Sequence, residues 1–344
     1  MRTVDLRSDT LTRPTSAMRD AMVQAAVGDD VFGEDPTINR LQDKIVEMTG
    51  KEAALFVTSG TQGNQVSVNA HTRPGQEVIC DKNCHIFNYE SGAAGMLAGV
   101  QLNGLDGKNG VITAAQIESA LRPADDHYPQ TGLICIENTH NRAGGFIFPL
   151  PEIKRISQFA REKKLPLHLD GARLWNASVA TGISIREYCQ DVDSVSLCFS
   201  KSLGAPVGSI VAGSKAFIQR THFYRKAYGG GIRQGGLLAA AALYALEHHL
   251  PLLTEDHRRA REFAEAIAGL PGISLSLDTV QTNMVIFRYD GGATSADQFV
   301  AQLEAAGILL FHIGENRIRA VIHLEIDDDD IEYSVNVFRK LLDT

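Results

Sequence analysis

Two short runs in this 344-residue chain carry side chains that could share one reaction: His168-Leu169-Asp170-Gly171-Ala172-Arg173 and Cys198-Phe199-Ser200-Lys201-Ser202-Leu203-Gly204-Ala205-Pro206. An aspartate ending an apolar strand can hold a pyridine nitrogen protonated. A lysine ending a later strand can form a Schiff base with an aldehyde. A ring held by both becomes an electron sink, so the pair points to pyridoxal 5'-phosphate (PLP).

Two further features fit that chemistry. Ser59-Gly60-Thr61 lies between an apolar run and a helical pattern, where small residues would expose backbone N–H groups to an anion. The same residues suit any strand-to-helix turn, and neither a P-loop lysine nor a G-x-G-x-x-G pattern accompanies them. His85 follows another apolar run, so its imidazole would lie on the ligand side of a sheet, able to stack on a flat ring or move a proton.

These residues need a scaffold. From Lys51 to Gly213 short apolar runs alternate with amphipathic stretches, which predicts an α/β domain with a mainly parallel sheet flanked by helices. Strands are expected over 53–57, 77–81, 133–137, 167–170, 194–197 and 209–213, so several polar residues fall at strand C-termini, where open α/β sheets bind ligands. Helices are expected over 15–26, 62–70, 149–164 and 185–189. The Ala-rich run 237–246 reads as a buried helix, and a charged amphipathic helix over 252–268 follows it. Beyond Leu270-Pro271-Gly272 a small α+β unit is expected, with strands near 273–277, 284–289, 308–313 and 318–323, a helix over 296–306 and a last helix from Asp330. The acidic run Asp327–Asp330 suits that helix N-terminus, or a metal. This divides the chain into an N-terminal segment (1–48), a large domain (49–247) and a small C-terminal domain (248–344).

Composition narrows the partners. A net charge of −8 and the lack of a Lys/Arg-rich stretch with aromatics argue against nucleic acid. The longest apolar run falls short of the roughly 20 residues a bilayer span needs. The first nine residues lack the apolar core of a signal peptide, so a cytoplasmic protein is expected. Five cysteines form no C-x-x-C pair and are expected to be reduced structural thiols, with a metal site at Cys80, Cys84 and His85 as the sharper reading. No bound metal is expected.

Several motifs in one order resemble the low-specificity L-threonine aldolases: Arg7-Ser8-Asp9-Thr10, Gly33-Glu34-Asp35-Pro36, Ser59-Gly60-Thr61, His85-Ile86, Glu137-Asn138-Thr139-His140-Asn141, the two runs around Asp170 and Lys201, and Gly229-Gly230-Gly231-Ile232-Arg233-Gln234. The likeness runs from Asp5 to about His323. It implies a fold-type-I PLP enzyme, a homotetramer with active sites at a dimer interface, and retro-aldol cleavage of β-hydroxy-α-amino acids to glycine and an aldehyde. By position it implies that Lys201 forms the Schiff base, Asp170 pairs with the pyridine nitrogen, Ser59, Gly60 and Thr61 bind the phosphate, and His85 stacks on the ring. It further implies that Ser8, Arg173 and Arg319 grip the substrate carboxylate, His127 faces its hydroxyl, and Arg233 reaches a neighbour's phosphate. The catalytic base stays open between His85, His127 and a water. Phe32 stands where the family often has tyrosine, so a shift toward apolar substituents is expected. The competing readings are a phenylserine-preferring aldolase, a β-eliminating lyase, an aminotransferase, or a PLP-binding protein without turnover.

Overall fold

The computed structural model describes residues 2–291 and 294–342. Its first strand, β1 (Val4–Asp5), pairs with residues near the far end of the chain. Next come α1 (Ser16–Val23) and α2 (Pro36–Thr49), and then the strands of a seven-stranded sheet: β2 (Ala53–Val57), β3 (Glu77–Asp81), β4 (Gln101–Leu105), β5 (Thr131–Glu137), β6 (Leu167–Gly171), β7 (Ser194–Cys198) and β8 (Ser209–Gly213). The sheet order is β2-β8-β7-β6-β5-β3-β4. The pairs from β7 through β4 are parallel, and only β8 runs against its neighbours. Mainly parallel was therefore the right expectation. Periodicity gives no strand direction, so the reversal of β8 was not visible; at its start Gly208 takes φ +112°, and a Cβ there would meet the Phe56 ring at 2.7 Å.

All six expected strands form, with bounds moved by at most two residues. β4 was missed, because this edge strand is half-exposed and carries Gln101, Asn103 and Gly104 in place of an apolar run. Because β2, β3, β5, β6 and β7 point the same way, their C-termini share one edge. The register there sets Glu137 beside Asp170, and Asp170 beside Ser196.

The helices close both faces. Ile153 and Ile156 of the 150–163 helix and Trp175 of the 174–181 helix enter the main core with Phe56, Ile134 and Leu169. α1 and α2 pack against the 236–244 helix, whose Ala239, Ala241 and Ala242 are fully buried in the same core. That helix runs on through a wide turn at 245–249 into Leu253–Ile267, and the continuous stretch is long and apolar enough by composition to cross a membrane. Asp35 caps α2 by accepting from the Thr37 and Ile38 amides, and its second oxygen takes the Gly28 and Gly236 amides. Such a cap contributes ~1 kcal/mol and here also fixes the 229–235 loop against the 28–35 turn.

The C-terminal part has its own core around Phe263, Phe287, Phe299 and Phe338. Its antiparallel sheet comprises β9 (Ile273–Ser274), β10 (Met284–Tyr289), β12 (Phe311–His312) and β13 (Arg317–Val321), while β11 (Ile308–Leu309) pairs in parallel with β1. Thus the single strand expected over 308–313 is two, which change partner at the buried Leu310. The strand expected over 273–277 stops at Ser274 and gives way to a 3-10 turn, Leu277–Thr279. Val4 and Leu6 lie in this C-terminal core, which draws the N-terminal segment across the main sheet's active edge. The acidic run begins the helix Asp328–Leu342, with Asp328 paired to Arg258 and Arg259, and Asp327 and Asp330 paired to Arg2.

Candidate active site

At the shared strand edge, between the main sheet and the C-terminal sheet, lies a cleft of about 350 Å³. Ser8, His85, Arg173, Lys201 and Arg319 all line it. These five come from five separate stretches of sequence. The structure adds Thr10, Tyr89, Asn141 and, from the C-terminal part, Phe311, His312 and Ile313.

Asp170 is buried beneath this cleft. Its Oδ1 accepts from the Ala172 amide at 3.1 Å, and its Oδ2 accepts from Asn64 Nδ2 at 2.8 Å. Asn64 sits on α3 (Gly60–His71), whose N-cap Ser59 accepts from the Gln62 amide. The Gly60 and Thr61 amides lie in the first turn and have no acceptor inside the helix. Gly60 is required for close packing, since a Cβ there would stand 2.8 Å from Cys198 Sγ at the end of β7.

His85 opens a short helix, α4 (His85–Asn88). Glu137 fixes its place: one carboxylate oxygen accepts from the His85 amide at 2.6 Å, the other from the Asn141 amide at 2.8 Å. The imidazole Nδ1 lies 2.7 Å from Glu90 Oε1. Burial alone would lower the pKa of His85, but the Glu90 hydrogen bond and the Asp170, Glu90 and Glu137 charges outweigh it and raise the pKa above the ordinary value.

The two arginines meet at one oxygen. Arg319 Nη1 and Arg173 Nη1 lie 3.1 and 3.5 Å from Asn141 Oδ1. Asn141 thereby joins the two arginines at the cleft wall. Arg173 is held from one side: its Nε and one Nη2 proton go to the fully buried Asp9, at 2.8 and 2.6 Å, which leaves the Nη1 protons and the second Nη2 proton on the other side of the guanidinium. Burial, and then the like charge of Arg173, lower the pKa of Arg319, while its Nε is buried without a partner. Asp9 also accepts from Ser202 Oγ at 2.9 Å, and Thr12 Oγ1 donates to the Lys201 carbonyl at 2.9 Å. The N-terminal segment therefore braces the turn that carries Lys201.

The chain does not bring every expected residue here. His127 stands on the 121–130 connection with its side chain 88% exposed and Asp125 as its partner, and it is not among the cleft residues. Arg233 pairs with Asp29 and is 54% exposed; Phe32, in the adjoining turn, is 73% exposed. Neither lines the cleft within one chain. The five cysteines are all buried and free.

His85, Glu90 and Asp170 place one donor atom each within 4.8 Å of the others. Hydrogen bonds from within the chain already engage those groups, so the trio reads as a polar cluster and not as metal ligands. The donor set fits PLP. It combines a buried carboxylate for a ring nitrogen, a helix N-terminus for a phosphate, an imidazole beside the ring position and a lysine at the cleft wall.

Comparison with known proteins agrees. The family described as beta-eliminating lyase matches residues 5–290. A low-specificity L-threonine aldolase of Arabidopsis thaliana is 44% identical, covering 99% of this chain and 97% of its own. One from Escherichia coli K12 is 40% identical, covering 95% and 96%. The solved threonine aldolase of Leishmania major superposes with a TM-score of 0.83 at 20% identity over 98% of this chain and 99% of its own, which shows the shared fold. The chain belongs to the PLP-dependent beta-eliminating lyase family, with the low-specificity L-threonine aldolases as its relatives.

Proposed function

We propose that this protein uses PLP to cleave L-threonine, L-allo-threonine and related β-hydroxy-α-amino acids to glycine and an aldehyde. One observation carries the reading: Arg173 and Arg319 converge on Asn141 at the wall of a cleft that also presents Lys201 and His85. A carboxylate held by the two guanidinium groups would set an α-amino acid between the lysine and the imidazole.

When bound, PLP supplies the sink for the electron pair released as Cα–Cβ breaks. Lys201 would hold the cofactor, and Asp170, oriented by the Asn64 and Ala172 donors, would pair with its ring nitrogen. Ser59, Gly60 and Thr61 would take the phosphate. Arg319, Arg173 Nη1 and Ser8 would orient the substrate carboxylate. His85 would accept the β-hydroxyl proton through Nε2; of the two imidazoles expected as base, it is the one the chain places in the cleft. For the assembly we propose a homotetramer in the cytoplasm, in which a neighbouring subunit meets Arg233 and His127, both exposed here.

The test is product identity. Incubation with PLP and L-threonine should yield glycine and acetaldehyde in equal amounts. Formation of 2-oxobutanoate, or of a keto acid only when an amino acceptor is present, would replace this reading with an eliminating lyase or an aminotransferase.

A further inference from the structure

We propose that Glu90 is a positioning residue for His85: its buried carboxylate takes the Nδ1 proton of the imidazole and leaves Nε2 as the nitrogen presented to the cleft. The inference rests on the reading of His85 as the base, and it gives that base a partner no motif in the sequence suggests.

The hydrogen-bond roles around Glu90 can be worked out one by one. The side chain is wholly buried. Its Oε1 lies 2.7 Å from His85 Nδ1 and 2.8 Å from Asn64 Nδ2, and its Oε2 lies 2.6 Å from Gln65 Nε2. An ionised carboxylate only accepts, so all three neighbours must donate. Asn64 Nδ2 also reaches Asp170 Oδ2 at 2.8 Å, which uses both amide protons and turns Asn64 Oδ1 toward His168 Nε2 at 3.3 Å. His168 must then carry its proton on Nε2 and accept at Nδ1 from Ser194 Oγ, 2.8 Å away. Ser194 in turn accepts from His71 Nε2 at 2.7 Å. Every group in this chain has a single consistent role, and the chain ends on the two carboxylates.

Two consequences follow for the cleft. Neutral His85 is held as the Nδ1–H tautomer, with the Nε2 lone pair free to take the β-hydroxyl proton. Once it does, the imidazolium lies against a carboxylate that no solvent screens. The other charges facing His85 are Asp170 and Glu137 from the neighbouring strand ends, with Lys201, Arg173 and Arg319 also lining the cleft; the Tyr89 ring stands 5.7 Å away. Asn64 further ties Glu90 to Asp170, so the acid orienting the base and the acid meant for the pyridine nitrogen share one amide.

The experiment is an ¹⁵N-imidazole NMR titration of His85, assigned by its loss in His85→Asn, on the protein with and without PLP. In the unsubstituted protein, neutral His85 should carry its proton on Nδ1 and titrate above the ordinary value of about 6.5. In Glu90→Gln the titration should move down by at least about one pH unit, or tenfold in affinity for the proton. The acid limb of kcat/KM should move with it, with kcat lowered about tenfold and KM for L-threonine nearly unchanged. A proton on Nε2 in the unsubstituted protein overturns the inference without reference to any variant. An unmoved His85 titration in folded Glu90→Gln overturns it as well. If the titration moves while the acid limb stays, Glu90 keeps its role and His85 loses its place as the base.

Discussion

Asp9→Asn isolates the brace on which the carboxylate site depends. Asp9 is fully buried and holds Arg173 through two charge-assisted bonds of 2.8 and 2.6 Å, while also accepting from Ser202. Burial by itself would raise the Asp9 pKa; the Arg173 guanidinium, and then Lys201, outweigh it and hold the carboxyl well below the usual range. An asparagine in its place turns an N–H toward a donor and leaves a guanidinium buried without a counter-charge. Breaking one side of such a pair costs about 3–5 kcal/mol. Denaturant unfolding at pH 7, at fixed protomer concentration because assembly contributes to stability, should show that loss. The sign with pH is set by the lowered folded-state pKa. Wild-type stability from this group is present above the unfolded value of 3.8 and is lost as pH falls toward the lower folded value, so the gap should persist at pH 5–8 and narrow only in stronger acid. KM for L-threonine should rise about tenfold, the equivalent of ~1.4 kcal/mol, as Arg173 loses its fixed orientation. A stability loss below ~1 kcal/mol at pH 7 would show that the buried Arg173 charge does not depend on the Asp9 carboxylate.

Asp256→Asn should act in the opposite direction. Burial pushes the Asp256 carboxyl from 3.8 up to about 7, so the fold loses stability as pH rises between those values; the asparagine form should gain up to ~4 kcal/mol above pH 7 and nothing near pH 4, read from melts across pH. Gly60→Ala should weaken PLP binding about tenfold or more, because the added Cβ lands 2.8 Å from Cys198 Sγ and pushes the phosphate-facing turn away; equilibrium dialysis of the cofactor measures it, and an unchanged affinity would remove that turn from the site. His127→Ala should leave the fold of each protomer intact, given a side chain 88% exposed, and lose stability only through assembly, so thermal melts should show a loss that depends on protomer concentration; a loss independent of concentration would place its partner within its own chain.

The residues that could be read from sequence are those at the ends of buried strands. Asp170 and Lys201 close apolar runs, and His85 follows one, so local pattern alone placed all three at the ligand edge. Glu90 and Asn64 gave no such signal, because one follows a short helix in a turn and the other lies mid-helix among buried residues. Asp9 was visible only as part of a motif. Its partner Arg173 is 164 residues away, and no periodicity reports a pairing over that distance. Glu137 and Asn141 likewise stood inside a quoted motif without a role, since their function is to join turns that only the sheet register brings together. The same limit hid the pairing of β1 with β11, two residues each and about three hundred positions apart.

Whether Lys201 and Asp170 form a PLP site for retro-aldol cleavage is decided by borohydride reduction of the PLP-loaded protein followed by peptide mapping. One reduced pyridoxyl label is expected, on Lys201, with loss of both the label and glycine formation in Lys201→Ala; a label on any other lysine, or glycine released from L-threonine at the wild-type rate by Lys201→Ala, would rule this site out.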